Sequence, residues 1–492
     1  MIHPRRIPLL VGLGIGICSQ ACTAGPEYRR PSAPIPAQWE VAEPWRESTP
    51  KDGLPKGQWW TVFQDEELNS LEKQGVDANL DIKIAAAHLA QARASAAIQI
   101  ATQFPSLAVS PNAQRQRLSG NRPANSSIPV TSPVSQNNIL LPFSVDYEVD
   151  LFGRRRRNIE AAQAAYQASA ADMENVRLVV AAEIAGDYFT VRQLDSEIGI
   201  LNRTVETLQR GLELVDSRHK GGLSSGLDVA QEETLLDATQ TQAILIEQQR
   251  KQFEDAIAVL LGQPAPEFHL ATKELTNTLP RIALGLPSDL LERRPDIAES
   301  ERQMAIANAQ VGIAAAAYFP SLDLFGNGGW QAADITKLLN VQSTFWALGA
   351  GVSQAIFTGG SRRAQKQFAQ AGYDASVAAY RESVLNALRE VQDSVTGITI
   401  LEKAELSQEK TVASARRTLE IATDRYTGGL VSYLDVVNAQ QNLLSNQQEL
   451  AYIHGERLIT GVLLVKALGG GWDASSLAAA QVKPKLKDAL SP

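Results

Sequence analysis

Two proline-free stretches, 154–218 and 361–426, limit what this chain can fold into. In the first, Ile184, Tyr188, Val191, Leu194, Ile198, Leu201, Val205, Leu208, Leu212 and Val215 recur at spacings of three and four. Val384, Leu388, Val391, Val395 and Ile398 do the same in the second. This is an a/d stripe with a period near 3.5, which predicts two long helices with a coiled-coil seam. At about 1.5 Å per residue, each helix is a rod of roughly 100 Å. Rods of that length cannot close into one globule, so they must pack side by side.

The rods belong to a chain written twice. HKGGLSSGLDV at 219–229 and YTGGLVSYLDV at 426–436 agree at seven of eleven positions, at an offset of 207 residues. FPSL occurs at 104–107 and again at 319–322. Thr204-Val205 returns as Thr411-Val412, Leu212-Glu213 as Leu419-Glu420, Arg218 as Arg425, and Leu261-Gly262 as Leu468-Gly469. Matches that stay in order over such a distance are a tandem duplication. Each copy runs helix, FPSL, extended segment, long helix, GGL turn, long helix. The first copy is placed at 65–264 and the second at 287–470, with a linker at 265–286 and a tail at 471–492. At the turns, Gly221, Gly222, Gly428 and Gly429 offer positive-φ freedom for a tight reversal. They also leave room for a partner's backbone. Asp228 and Asp435 open the helices that follow, where a negative charge complements the helix dipole by about 0.3–1 kcal/mol.

Between FPSL and each rod the period changes to two. In 143–151, Phe143, Val145, Tyr147, Val149 and Leu151 alternate with Ser144, Asp146, Glu148 and Asp150. Strands are expected at about 107–117, 139–152, 321–332 and 344–357, with the polar 119–138 stretch as an exposed loop. One apolar and one acidic face suit a membrane barrel with lipid outside and water within. Asp146, Glu148 and Asp150 then face the lumen. A half-buried soluble hairpin is the alternative. Single-chain membrane barrels begin at about eight strands. Four strands alone leave open edges in lipid, where each unpaired backbone group costs several kcal/mol. If these segments enter a membrane, the barrel must close between chains.

The N-terminus places Arg5 and Arg6 before an apolar run, Ile7 to Ile17, and then SQAC. This order reads as a secretory signal peptide over 1–21. The run is shorter than the about 20 residues a membrane span needs. Cys18 and Cys22 are the chain's two cysteines. A mature chain beginning at Cys22 has no intramolecular disulfide partner. Cys22 directly follows Ala21, as does the acylated first residue of a bacterial lipoprotein. Ser19 stands where such proteins usually carry Leu, and Cys18 follows the bulkier Ile17. Residues 22–64 then form a lipidated, extended N-terminal segment.

Nothing in the pattern points to catalysis. His3, His88, His219, His269 and His454 lack HExxH spacing, and no CxxC pair occurs, so the strongest zinc signals are absent. GLGIG at 12–16 lies within the signal segment, and GGLSSG at 221–226 follows a helix without the Lys-Ser/Thr of a phosphate loop. Glu232 and Glu233 read as solvated charge on a helix surface. No cofactor is expected beyond a covalent lipid on Cys22. The net charge of −8, with no basic face, argues against a nucleic-acid partner.

CTAGPEYRRP at 22–31, the two FPSL helix ends and the paired GGL…LDV turns together resemble the TolC-like outer membrane factors. The similarity is to the lipoprotein branch that serves RND-type efflux pumps. It implies a mainly α fold with membrane β: a homotrimer whose chains each give four strands to a twelve-stranded outer-membrane barrel. The long hairpins continue as a periplasmic α-barrel. The resemblance implies a passive exit duct for small molecules, with a periplasmic adaptor and an inner-membrane RND-type transporter as partners. By position in the motif, Asp228 and Asp435 line the periplasmic constriction, and Asn438 stands where some members carry a second aspartate. Val431 replaces an arginine, and Tyr426 and Arg425 hold neighbouring helices. Gly221, Gly222, Leu223, Gly428, Gly429 and Leu430 form the tips on which the adaptor docks. Tyr433 replaces the first turn's Gly226, so the second tip is expected to be tighter. The alternatives are a channel for type I protein secretion and a coiled-coil lipoprotein scaffold without a pore.

Overall fold

The computed structural model describes residues 23–36, 38–39, 57–120, 133–280, 282 and 287–482. The expected signal peptide, Cys22 and the centre of the predicted 119–138 loop lie outside the described residues. The chain order is α1 (Glu66–Ala78), α2 (Leu80–Ala101), β1 (Ser106–Val109), β2 (Asn112–Leu118), β3 (Val134–Val149), α3 (Arg154–Lys220) and α4 (Gly226–Leu260). Next come α5 (Leu290–Arg293), α6 (Pro295–Ala316), β4 (Ser321–Ala332), β5 (Thr344–Ser353), α7 (Ser361–Thr427) and α8 (Tyr433–Ala467).

The duplication holds to the residue. Helices α3 and α7 each have 67 residues, and α4 and α8 each have 35. Both pairs keep the offset of 207 at either end. The FPSL motifs are 215 apart, so the first copy carries eight more residues between that motif and its rod. The difference appears in the strands, with 16 residues in β3 against 10 in β5. The predicted stripe is buried: Ile184, Tyr188, Val191, Leu201, Leu208 and Val215 are all at 0% exposure. Along α7, Val384, Val391, Val395 and Ile398 are buried likewise.

The larger apolar core lies at mid-rod. Trp59, Trp60 and Phe63, on a short 3-10 turn before α1, pack with Tyr188 and Phe189 of α3, Tyr380 and Val384 of α7, and Leu458 and Val462 of α8. The linker is strapped over this region by buried charge. Arg192 donates to Asp195 at 2.7 Å, to Glu67 at 2.7 Å and to the Ala271 carbonyl at 2.6 Å. Arg250 donates to Asp195 at 2.5 Å, to Glu254 at 2.8 Å and to the Leu270 carbonyl at 2.7 Å. The backbone N–H groups of Leu270 and Lys273 complete the shell on Glu254 and Asp195. Farther along, His454 of α8 bridges Glu405 of α7 at 2.6 Å and the Asn277 carbonyl at 3.0 Å.

The strands form one antiparallel sheet in the order β1-β3-β4-β5, with β2 also on β3. The expected strand 107–117 is broken into β1 and β2 at Ser110-Pro111, where proline supplies no ladder N–H. Strand β3 starts at Val134 and ends at Val149, so Asp150 lies just past it. Strand β5 stops at Ser353, leaving Ile356 beyond it at 98% exposure, contrary to the expected 344–357.

Register sorts the two faces. Leu107, Val145, Gly326 and Leu348 lie across one row, and Val109, Phe143, Gly328 and Trp346 across the next. The row through Val149, Leu322 and Val352 is on the same face. The opposite face carries Ser144, Asn327 and Ala347 in one row and Glu148, Asp323 and Gly351 in another. Trp346, Leu348 and Val352 are each more than 70% exposed. An apolar sheet face this exposed needs lipid or protein against it.

Candidate functional site

At the far end of the rods, the two GGL turns have one geometry. Gly222 and Gly429 adopt φ of +75° and +74°, whereas Gly221 and Gly428 stay right-handed. Leu223 N–H donates to the Arg218 carbonyl and Leu430 N–H to the Arg425 carbonyl, each at 2.8 Å. These are Schellman closures, which use glycine for its positive φ. A Cβ on Gly222 or Gly429 would meet nothing within 4 Å, so within the chain backbone conformation, not space, demands glycine there. Leu223 and Leu430 stand at the tips, 73% and 72% exposed.

Both tip aspartates close capping boxes. Asp228 accepts from Ser225 N–H at 3.1 Å, while Ser225 Oγ accepts from Asp228 N–H at 3.2 Å. Asp435 accepts from Ser432 N–H at 3.2 Å and from its hydroxyl at 2.9 Å. The helix-start role is thus present in the chain itself, worth about 1 kcal/mol per cap. Asp435, Asn438 and Arg425 remain exposed.

Behind the tips lies a second core of Leu208, Val215, Leu235, Leu236, Tyr426, Tyr433, Val436 and Val437, with Val431 packed against it. Tyr426 and Tyr433 pack with ring centroids 4.8 Å apart and planes tilted by 59°, and the Arg218 guanidinium lies 5.1 Å from the Tyr426 ring. Tyr433 is only 3% exposed. The residue expected to narrow the second tip is therefore buried in the core between the hairpins.

Glu232 overturns its reading as surface charge. It is 0% exposed, and among the described residues no well-aligned hydrogen bond reaches either carboxyl oxygen, although the Tyr433 hydroxyl and the Gln440 amide stand beside it. Burial raises its pKa from the ordinary glutamate value, and the nearby Tyr433 and Gln440 offset part of that rise. Burial, followed by the charge of Glu232, raises the Tyr433 phenol in turn. The sequence does hold the signal: Glu232 falls three residues after Val229 and three and four before Leu235 and Leu236, inside the apolar stripe of α4.

At the other end, Asp146 and Glu148 lie on β3 and share its polar face. Glu148 takes Arg154 at 2.6 and 2.7 Å, with Arg155 at 3.3 Å. Asp150 accepts the N–H groups of Arg155 and Arg156, at the start of α3. Sequence reading missed these arginine partners, although they follow directly in the chain. The N-terminal segment docks at this junction. Ala24 N–H donates to the Phe152 carbonyl at 2.9 Å, and Arg157 donates to the Pro26 carbonyl at 2.9 Å. Thr23 sits so close to Gly153, at φ +82°, that a Cβ there would lie 2.5 Å from its methyl group.

A family profile described as "Outer membrane efflux protein" matches residues 74–263 and 286–470, more than half of the chain. The chain belongs to that family. The solvent efflux pump outer membrane protein SrpC of Pseudomonas putida is 32% identical over 480 residues, spanning 96% of this chain and 99% of its own. Outer membrane protein OprJ of Pseudomonas aeruginosa is 31% identical over 469 residues, spanning 94% and 95%. Among solved structures, the outer-membrane channel OprN matches with a TM-score of 0.84 at 28% identity, over 92% of this chain and 100% of that one. The protein is accordingly an outer-membrane efflux duct and not an enzyme. Its helices supply an α-barrel and its strands part of a β-barrel, as in those channels. The soluble-hairpin and scaffold alternatives fall with this result.

Proposed function

We propose that three copies of this chain form the duct, each giving four strand positions to a twelve-stranded barrel. The sheet carries this reading: an exposed apolar face, a polar face, and edges at β1/β2 and β5 that no other described strand pairs with. Three such sheets joined edge to edge leave no open backbone in lipid. An inner-membrane RND-type transporter and a periplasmic adaptor supply the cargo, with the adaptor on the turns around Leu223 and Leu430. Small toxic molecules are the cargo, a class in keeping with the relative named for solvent efflux. Deleting the gene is expected to sensitise cells to dyes, antibiotics, solvents or metals, measured as growth inhibition. Unchanged sensitivity together with loss of a secreted protein would move the assignment to type I secretion.

Cys22 is the lipid attachment point in this reading. Its neighbour Thr23 is fixed against Gly153, where β3 turns into α3. A lipid on Cys22 would enter the membrane beside the barrel wall.

The exposed Asp435, with Asp228 and Asn438, would then ring the periplasmic constriction. Carboxylates brought together around an axis repel one another and attract cations. Alanine is a poor probe here because it also removes a cap. Asp228→Asn and Asp435→Asn keep an acceptor oxygen and delete only the charge. Together they are expected to lower cation selectivity in single-channel recordings while costing less than about 1 kcal/mol of helix stability. Unchanged selectivity removes both residues from the constriction.

A further inference from the structure

Four helices meet at the polar centre of the tip core, and four side chains from them form its main contacts. They are Arg218 from α3, Glu232 from α4, Tyr426 from α7 and Tyr433 from α8. Arg218 lies over the ring of Tyr426, and Tyr426 packs at a tilt against Tyr433. Tyr433 adjoins the Glu232 carboxyl, with Gln440 of α8 the other polar neighbour. Asp228 of α4 is the remaining charge felt by Tyr433. Among the described residues no lysine or arginine pairs with Glu232.

The pocket for that carboxyl is built by a glycine. A Cβ on Gly211 of α3 would lie 2.4 Å from Glu232 Oε1 and 3.4 Å from the Tyr433 hydroxyl. Any larger residue at 211 displaces the carboxyl. The socket therefore joins α3 and α4 of the first hairpin to α8 of the second, through a group without a counter-charge. We propose that Glu232, seated uncharged in the socket of Gly211 and Tyr433, is a positioning residue of the constriction: it fastens the first tip to the second, and its ionisation loosens them. The proposal rests on the reading of these tips as the constriction.

The physical basis is the cost of charge without water. An ionised carboxylate at Glu232 has no paired cation among the described residues, since Arg218 lies over the Tyr426 ring, and only Tyr433 and Gln440 beside it as donors. It gains solvent only if α4 and α8 separate. The sign follows from the direction of the shift, since burial raises the Glu232 carboxyl above its ordinary value. The fastening is complete below the ordinary carboxyl range and is lost as pH rises through the raised value. Acid draws the tips together, and base releases them.

The test measures the distance between tips. Leu223→Cys and Leu430→Cys carry a nitroxide pair, in trimers diluted with unlabelled protomers. Between about pH 4 and about pH 9, a range that starts near the ordinary glutamate value and runs well above it, the parent distance distribution is expected to lengthen and broaden reversibly. With Glu232→Gln it should stay at its low-pH form throughout. With Gly211→Ala, which expels the carboxyl, it should stay at the high-pH form. A parent that does not respond, or a Glu232→Gln variant that follows the parent curve, overturns the proposal. Conductance of the same trimers separates the two readings. If distances behave as stated but conductance ignores them, the latch stands and the constriction reading fails. If conductance responds to pH equally with and without Glu232, the latch fails and the constriction reading stands.

Discussion

Asp195→Ala is expected to destabilise the mid-rod region by about 3–5 kcal/mol, the usual consequence of removing one partner from a buried ion pair. Asp195 is 1% exposed and touches two arginines, Arg192 at 2.7 Å and Arg250 at 2.5 Å. It also accepts the Lys273 N–H at 3.0 Å. Alanine leaves Arg192, itself 1% exposed, with Glu67 and one backbone carbonyl, and Arg250 with Glu254 and another. One lost carboxylate thus removes a partner from buried charges on two helices and frees the linker N–H. Asp195→Asn retains an acceptor oxygen and should cost less. Thermal unfolding of the detergent-solubilised protein reads the stability. Limited proteolysis across 265–280 reads whether the linker lifts first. A variant indistinguishable from the parent in both would show that water replaces the carboxylate without penalty.

This network and Glu232 share one reason for escaping a sequence reading. Periodicity says where a residue sits around its own helix, not what faces it across the gap. The stripe from Ile184 to Val215 was legible because apolar residues at that spacing bury against almost any apolar partner. Asp195 and Glu232 occupy similarly buried sites, yet one meets two arginines and the other a tyrosine and a glycine-lined hollow. The strands divide the same way. Alternation in 143–151 located β3 and its faces, because lipid and water impose that pattern without specific partners. The break at Pro111 was missed, since the expected 107–117 strand ran through it, although a proline that cannot donate to a ladder was the signal for it. Of the tip residues, Asp228 and Asp435 read correctly as helix starts because a cap is local. A constriction is shared among copies, so its candidates are the residues left exposed once each tip has closed its own bonds.

Leu348→Arg and Ala347→Arg should have opposite fates, although the two residues are adjacent in β5. In the register, Leu348 lies beside Gly326 in the row of Val145 and Leu107, and is 78% exposed. Ala347 lies beside Asn327 in the row of Ser144 and Ala108, on the polar face. Both sit near the middle of the ten-residue strand, where an arginine in contact with lipid costs about 2–4 kcal/mol. Three copies raise the penalty on Leu348→Arg to about 6–12 kcal/mol per trimer. Because β5 is an edge of the sheet, that penalty falls where the next copy must pair. The expected result is loss of the heat-resistant trimer on gels and of protein from the outer-membrane fraction. Ala347→Arg should assemble, since its side chain enters water, and should reduce single-channel cation conductance instead. A side-chain period of two makes this comparison decisive. If Ala347→Arg failed to assemble while Leu348→Arg inserted, the sheet would face the other way, and the acidic residues of β3 would no longer line the duct.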